Sequence, residues 1–414
     1  EIELTVGPSR VRWLAEHRDS RPPGGFTDVM LRGPFSSWTH RHSFEPADDG
    51  CRLTDRIRYA LPGGPIGDLV AGAWTAHSLR RSFEYRHRVT ASDLDVHQTY
   101  SLGGPRSFLI SGSTGLVGSA LTALLSTGGH RVTRLSRGDS DAKDPLGAAR
   151  VRWDPAAGRL KVEDVDGFDV VVHLAGESIA AGSWSTERKA RIRDSRVNGT
   201  RLLCRALAGA PRPPRVLVCA SAVGFYGDRG EESVDETSDR GSGFLADTCS
   251  EWEEAAEPAR SAGIRVVNLR IGIVLTPAGG ALARMLFPFK LGVGGPLGDG
   301  SQYWSWISLD DLLGAIMHAT ATEELAGPVN AVTPTAPTNR DFSRTLGSVL
   351  GRPAILPAPA AVLRLALGEM ADEMLLTGAR VVPARLVDSG FTFRYPELDG
   401  ALRHVLGRPD RGGA

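Results

Sequence analysis

Apolar and polar positions along this chain follow one rhythm before about residue 60 and another after residue 106. The first has a period of two. Val11, Trp13 and Ala15 interleave with Arg12, Leu14 and Glu16, and residues 26–31 read as a second strand. Residues 38–44 and 51–59 flank the turn-rich Glu45-Pro-Ala-Asp-Asp-Gly50, the pattern of a hairpin. Pro62-Gly-Gly-Pro65 then ends the sheet. Beyond it Ile66, Leu69, Val70, Ala73, Trp74 and His77 recur at helical spacing, which predicts an apolar helix face laid over a bent antiparallel sheet. A cavity between the two would suit an apolar ligand. A basic segment (Arg80, Arg81, Arg86, Arg88) follows, and Leu102-Gly-Gly-Pro105 reads as a linker.

The second rhythm alternates short buried runs with helical stretches. Strands are expected at Ser107–Ser111, Arg131–Ser136, 169–174, 215–220 and Arg265–Ile271, with helices that include 185–207 and 244–262. That order implies an α/β fold, a doubly wound parallel sheet covered on both faces. Past Leu275 the pattern turns irregular: a Gly-rich loop at 291–300, helices at 310–319, 341–350 and 360–369, and a final strand–helix piece at 391–406. The expected division is therefore 1–102, 106–275 and 276–408, the last a small substrate-binding lobe. The first unit opens at Glu1 inside a strand-like run, so it reads as lacking its first elements.

The chemistry concentrates where the second rhythm begins. Phe108, Leu109 and Ile110 stop at Gly112-Ser-Thr-Gly-Leu-Val-Gly118, a GxxGxxG turn between a strand and a helix. Such a turn lets backbone N–H groups approach a pyrophosphate at the positive end of a helix. Gly112, Ser113, Thr114, Gly115, Leu116, Val117 and Gly118 are thus the expected cradle of a dinucleotide. An acidic residue about 20 positions past the glycines would hold the ribose hydroxyls of NAD. Here the second strand ends Arg134-Leu-Ser136-Arg137, with no carboxylate before Asp139. Ser136 and Arg137 suit a 2′-phosphate, which favours NADP over NAD. Val170-Val-Val-His173 runs into Leu174-Ala175-Gly176-Glu177, small residues that would let a cofactor lie over the strand end; His173 itself reads as a satisfied core histidine. Ala220 closes the next strand beside Ser221.

Bulk composition narrows the partners. The chain has 414 residues, 48 basic and 48 acidic, and hydrophobic content of 41%. Zero net charge gives no electrostatic case for nucleic acid, and no apolar run is long enough to span a membrane. The four cysteines show no metal spacing, which fits buried thiols in the cytoplasm. His40, His42, His77 and His87 show no metal-ligand pattern in sequence either.

These motifs together resemble the NAD(P)-dependent epimerase/dehydratase branch of the extended short-chain dehydrogenases, and within it the YfcH-like epimerase-family subgroup. The resemblance rests on the glycine turn, His173–Ile179, Arg188–Thr200, Ser221–Gly230, Leu297–Leu312 and Pro383–Pro396, in that order over about three quarters of the chain. Residues 1–100 more weakly resemble a START-like (SRPBCC) helix-grip domain. The resemblance implies a Rossmann sheet, NADP, a small-molecule substrate and hydride chemistry, with Ser221 and Tyr226 as the candidate catalytic residues. It also implies a Tyr-x-x-x-Lys pair, in which the lysine lowers the tyrosine pKa. The region that should carry it reads Gly243-Phe-Leu-Ala-Asp-Thr-Cys-Ser-Glu-Trp252, with neither residue, and Ala222 holds the usual Ser/Thr position. Tyr226, Lys189, Glu177 and Lys290 are the nearest replacements on the resemblance, each better suited to a structural or substrate-facing role than to that of a catalytic base. Two readings stand: an NADP-dependent oxidoreductase or epimerase with atypical catalytic groups, and a catalytically idle NADP sensor.

Overall fold

A computed structural model describes residues 2–6, 9–48, 50–137 and 148–409. The chain forms two compact units that divide between His87 and Arg88. In the first, β1 (Ile2–Val6), β2 (Ser9–Arg21), β3 (Gly25–Arg32), β4 (Ser37–Ala47) and β5 (Gly50–Ala60) make an antiparallel meander in sequence order. Alternation on β4 buries Trp38, His40 and His42 on one face. The helix α1 (Gly64–Thr99) follows.

The expected apolar face of α1 is not its packed face. Ile66, Leu69, Val70 and Trp74 are 67% or more exposed, and Ala73 and His77 are exposed as well. The covered stripe is Gly67, Ala71 and Thr75. It begins where a Cβ on Gly67 would stand 2.0 Å from the Pro62 carbonyl oxygen, so the turn before the helix fixes its rotation. Near the other end of this unit, the Phe83 ring meets His40 edge-on at 5.3 Å.

The second unit is built on seven parallel strands. In chain order they are β6 (Ser107–Ser111), β7 (Arg131–Ser136), β8 (Ala149–Arg152), β9 (Val170–His173), β10 (Val216–Ala222), and strands Arg265–Ile271 and Gly327–Ala331. The spatial order runs Gly327–Ala331, Arg265–Ile271, β10, β9, β6, β7, β8. The chain reverses direction across the sheet between β6 and β9, and ligands bind doubly wound sheets at the strand ends of that switch point. Both faces are covered, which is why the strands read as continuous apolar runs. Phe108, Ile110, Val172, Val218 and Leu269 join one core, with Leu121 and Leu125 of α2 (Leu116–Thr127). Leu109, Val171 and Leu217 join the other, with Leu203 and Leu207 of α3 (Thr186–Ala208).

Three departures from the sequence pattern have local causes. Strand β8 and strand Gly327–Ala331 lie at the two edges; the first is four residues long and the second carries Pro328, which an edge tolerates. The expected helix 244–262 is α4 (Phe244–Glu254) and a separate short helix, Glu257–Ser261. No strand forms at 391–396. Instead Asp311 takes the Arg394 and Tyr395 backbone N–H groups at 2.8 and 3.1 Å, and Phe391 enters the core.

Candidate dinucleotide site

The glycine turn owes its shape to three close approaches. Gly112 has φ +68°, and a Cβ there would lie 2.7 Å from the Leu174 carbonyl. A Cβ on Gly118 would lie 2.3 Å from the Gly112 carbonyl oxygen, so helix α2 can start directly against the turn only without one. Gly115 caps α2 with no side chain on the first-turn N–H groups. Leu116 and Val117 open that helix, Thr114 is exposed and Ser113 is buried beneath. An uncapped helix start beside a concave turn favours an anion, and a pyrophosphate has the right charge and width.

Ser111 ties this turn to the loop after β9. Its Oγ accepts from the Leu174 and Ala175 N–H groups at 3.2 and 3.3 Å and lies 2.6 Å from His173 Nδ1. With those acceptor positions used, the hydroxyl proton goes to Nδ1. His173 Nε2–H then donates to Thr200 Oγ1 at 2.9 Å, which also receives Trp252 Nε1–H. His173 is thus the satisfied core histidine expected from sequence. Burial pushes its pKa down to about 4. The folded pKa lies below the unfolded value near 6.5, so the unfolded chain binds the extra proton as pH falls. Stability of this unit is expected to be unaffected above about pH 6.5 and to drop by about 3 kcal/mol between there and about pH 4. Denaturant titrations across this range check it: His173→Gln should flatten the dependence, and an unchanged slope would count against it.

At the end of β7, Ser136 Oγ is buried with no partner among the described residues, and Arg137 is exposed just beyond. An orphaned buried hydroxyl one residue before an exposed arginine fits a phosphate monoester. Asp139 lies outside the described residues. In the loop after β9, the Glu177 carboxylate is held by Arg188 Nη1 at 2.9 Å, its N–H by Ser195 and its carbonyl by Arg196. Gly176 closely faces the Arg196 guanidinium, with a built Cβ 3.2 Å away.

The floor beyond β10 is a buried polar network. Ala220 is buried, and Ser221, 3% exposed, donates to Glu253 Oε1 at 2.7 Å. Arg270 holds both oxygens of Glu253, from Nε at 2.8 Å and Nη2 at 2.9 Å. Its Nη1 donates to Tyr226 OH at 3.0 Å, and that hydroxyl donates to Asn330 Oδ1 at 2.8 Å. The Arg270 guanidinium lies 3.4 Å from the Phe225 ring centroid. Tyr226 is fully buried, and burial raises its pKa. Glu236 extends the network to the Asn330 N–H. Sequence reading found Ser221 and Tyr226 but missed Glu253, Arg270 and Asn330. A lone arginine inside Val266-Val-Asn-Leu-Arg-Ile271 was the available signal, since arginine is rarely buried without a partner.

Helix α4 carries the stretch without Tyr or Lys. Glu373 caps its start, accepting from Phe244 N–H at 3.1 Å and Leu245 N–H at 3.2 Å. A lysine does reach that turn from another helix. Lys189 of α3 stands 4.8 Å from the Phe244 ring centroid and pairs with Glu369 at 2.7 Å. Trp304 and Trp306 are buried in one apolar core, Trp304 against Phe342. No helix of the described residues is long and apolar enough to cross a membrane.

Residues 108–331 match the NAD dependent epimerase/dehydratase family, and 358–405 match a domain of unknown function (DUF1731). An epimerase family protein of Mycobacterium bovis is 42% identical over 300 residues, 72% of this chain and 97% of that one. The crystal structure of human epimerase family protein SDR39U1 with NADPH is similar at 36% identity and TM-score 0.66, covering 72% of this chain and 98% of that one. A nucleoside-diphosphate sugar epimerase structure from Corynebacterium glutamicum covers 97% of this chain and 78% of its own, at 34% identity and TM-score 0.78. With a family match over more than half its length and a relative at 42% identity covered over 97% of its own chain, this protein belongs to the NAD dependent epimerase/dehydratase family of extended short-chain dehydrogenases.

Proposed function

We propose that the chain is an NADP(H)-dependent oxidoreductase or epimerase that moves hydride between the nicotinamide and a carbonyl or carbinol carbon of a small substrate. The observation that carries this reading is the pairing of an uncapped, glycine-shaped helix start with an orphaned Ser136 hydroxyl and Arg137 at the neighbouring strand end. The family relative crystallised with NADPH supports it. Pyrophosphate would lie on residues 112–118, the adenosine 2′-phosphate on Ser136 and Arg137, and the rest of the cofactor over Leu174–Glu177 and Ala220. Bound there, NADP(H) would supply the hydride. NAD is the weaker partner because the second strand ends in Ser136 and Arg137, with no carboxylate among the described residues at that strand end.

Ser221 and Tyr226 shape the floor of the crevice rather than meeting the substrate. Both hydroxyl protons are committed inside the protein, to Glu253 and Asn330. The proton that accompanies hydride transfer is assigned instead to Lys189, the basic side chain that packs on the first turn of α4. Lys189→Met should then lower turnover about 10²- to 10⁴-fold while leaving NADPH affinity unchanged. The assay follows the nicotinamide absorbance band with a panel of carbonyl compounds and nucleotide sugars. No absorbance change with any of them, under saturating NADPH, would favour an idle sensor.

Cofactor choice gives a separate test. A charge-assisted phosphate contact contributes about 1.5–3 kcal/mol. Arg137→Ala should weaken NADPH about 10- to 100-fold and leave NADH within about threefold. Equal loss for both cofactors in a fluorescence titration would contradict the 2′-phosphate assignment. For the front unit, the five-stranded meander followed by a long helix supports a START-like helix-grip reading, whereas the exposure of Ile66, Leu69, Val70 and Trp74 removes the apolar wall on which the expectation of an apolar ligand rested.

A further inference from the structure

We propose that the antiparallel sheet of the first unit carries a zinc site formed by Asp28, His40 and His42. His40 and His42 sit two residues apart on β4, so both point to the same face, and Asp28 is the cross-strand partner of His40 on β3. One donor atom from each of the three lies within 4.8 Å of the others. Two imidazoles and one carboxylate, with positions left open, form a donor set that suits zinc.

The surrounding contacts orient these groups as ligands. Asp55 is the cross-strand partner of His42 on β5, and its side chain is 3% exposed. Its Oδ1 lies 2.9 Å from His42 Nδ1 and 3.0 Å from His40 Nε2. If Nδ1 of His42 donates to Asp55, its Nε2 carries a lone pair. That nitrogen faces Asp28 Oδ2 at 3.4 Å. A positive centre between the two atoms, a proton on Nε2 or a metal ion, satisfies both, and the third donor nearby, from His40, offers a metal ion what a proton does not use. The gap is close to the roughly 3.3 Å that separates neighbouring ligands of a tetrahedral zinc with bonds of about 2.0–2.1 Å. A carboxylate behind a metal-ligating histidine is the usual supporting contact.

Charge points the same way. Asp28 and Asp55 place two carboxylates in one half-buried cluster. Arg86 reaches Asp55 at 3.7 Å, whereas the ion-pair partners of Asp28 among the described residues are the histidines His17 and His42. His87 closes the cluster from α1, 3.0 Å from Asp55 Oδ2. A divalent cation would balance the pair. A cavity of about 360 Å³ bordered by Phe26, Arg41 and His42 gives the ion a way in.

The test uses the full chain, free of affinity tags and stripped by a chelator, titrated with zinc by calorimetry and with cobalt(II) by absorption. One zinc per chain is expected, and cobalt should give the intense visible bands of a tetrahedral site without a sulfur charge-transfer band. Asp28→Asn, an isosteric change at a carboxylate that is 22% exposed, should weaken zinc more than about 100-fold with unaltered circular dichroism. Asp55→Asn, which changes only the supporting contact, should weaken it about 10- to 100-fold. Failure of the wild type to bind zinc, or zinc binding untouched by Asp28→Asn, would overturn the proposal. So would a sulfur-to-cobalt band, which would move the ion to a thiol such as the exposed Cys51.

Discussion

Gly118→Ala is expected to lower NADPH affinity at least about 100-fold. The added methyl would sit 2.3 Å from the Gly112 carbonyl oxygen and 2.8 Å from the Ser113 Cα, both fixed backbone atoms. Neither can rotate away as a side chain would, so the start of α2 must retreat from the turn. Overpacking of this kind costs about 3 kcal/mol, and the same displacement withdraws the N–H groups that would meet the pyrophosphate. A loss of that size in binding is about 100-fold. Calorimetric titration with NADPH checks it, with thermal unfolding alongside to show that the variant remains folded. A folded variant that binds as well as the wild type would remove the turn from the site.

The largest effect on stability is expected at Arg270. This arginine is 4% exposed and holds both oxygens of Glu253, the Tyr226 hydroxyl and the face of Phe225. Arg270→Met keeps most of the volume but leaves the Glu253 carboxylate, 12% exposed, without its counter-charge. Removing one partner of a buried pair costs about 3–5 kcal/mol. Denaturant unfolding should show that loss, and the double variant Arg270→Met with Glu253→Gln should recover more than half of it. A single variant within about 0.5 kcal/mol of wild type would mean that the network contributes little to the floor of the crevice.

The two halves of the chain differ in how far their sequence could be read. Strands β6, β7 and Arg265–Ile271 lie where periodicity placed them, because a parallel strand buried on both faces is an uninterrupted apolar run with sharp ends. The glycine turn was legible for a related reason: three glycines at fixed spacing record three close backbone approaches. Helix α1 was misread in its rotation. Hydrophobic spacing picked the stripe of large residues, whereas the Gly67–Pro62 contact turned the small stripe inward. The polar network escaped because Glu253, Arg270 and Asn330 come from distant segments, and only tertiary pairing shows why each is buried. The histidine cluster escaped likewise. The two-residue spacing of His40 and His42 sets them on one face of a strand, but only β-sheet register brings Asp28 and Asp55 beside them.

A crystal structure of the chain with NADPH tests the central claim most directly. The pyrophosphate should lie within hydrogen-bond distance of the Leu116 and Val117 N–H groups, with the 2′-phosphate on Ser136 and Arg137. Density for the cofactor anywhere else, or a 2′-phosphate turned to solvent away from Arg137, would contradict it.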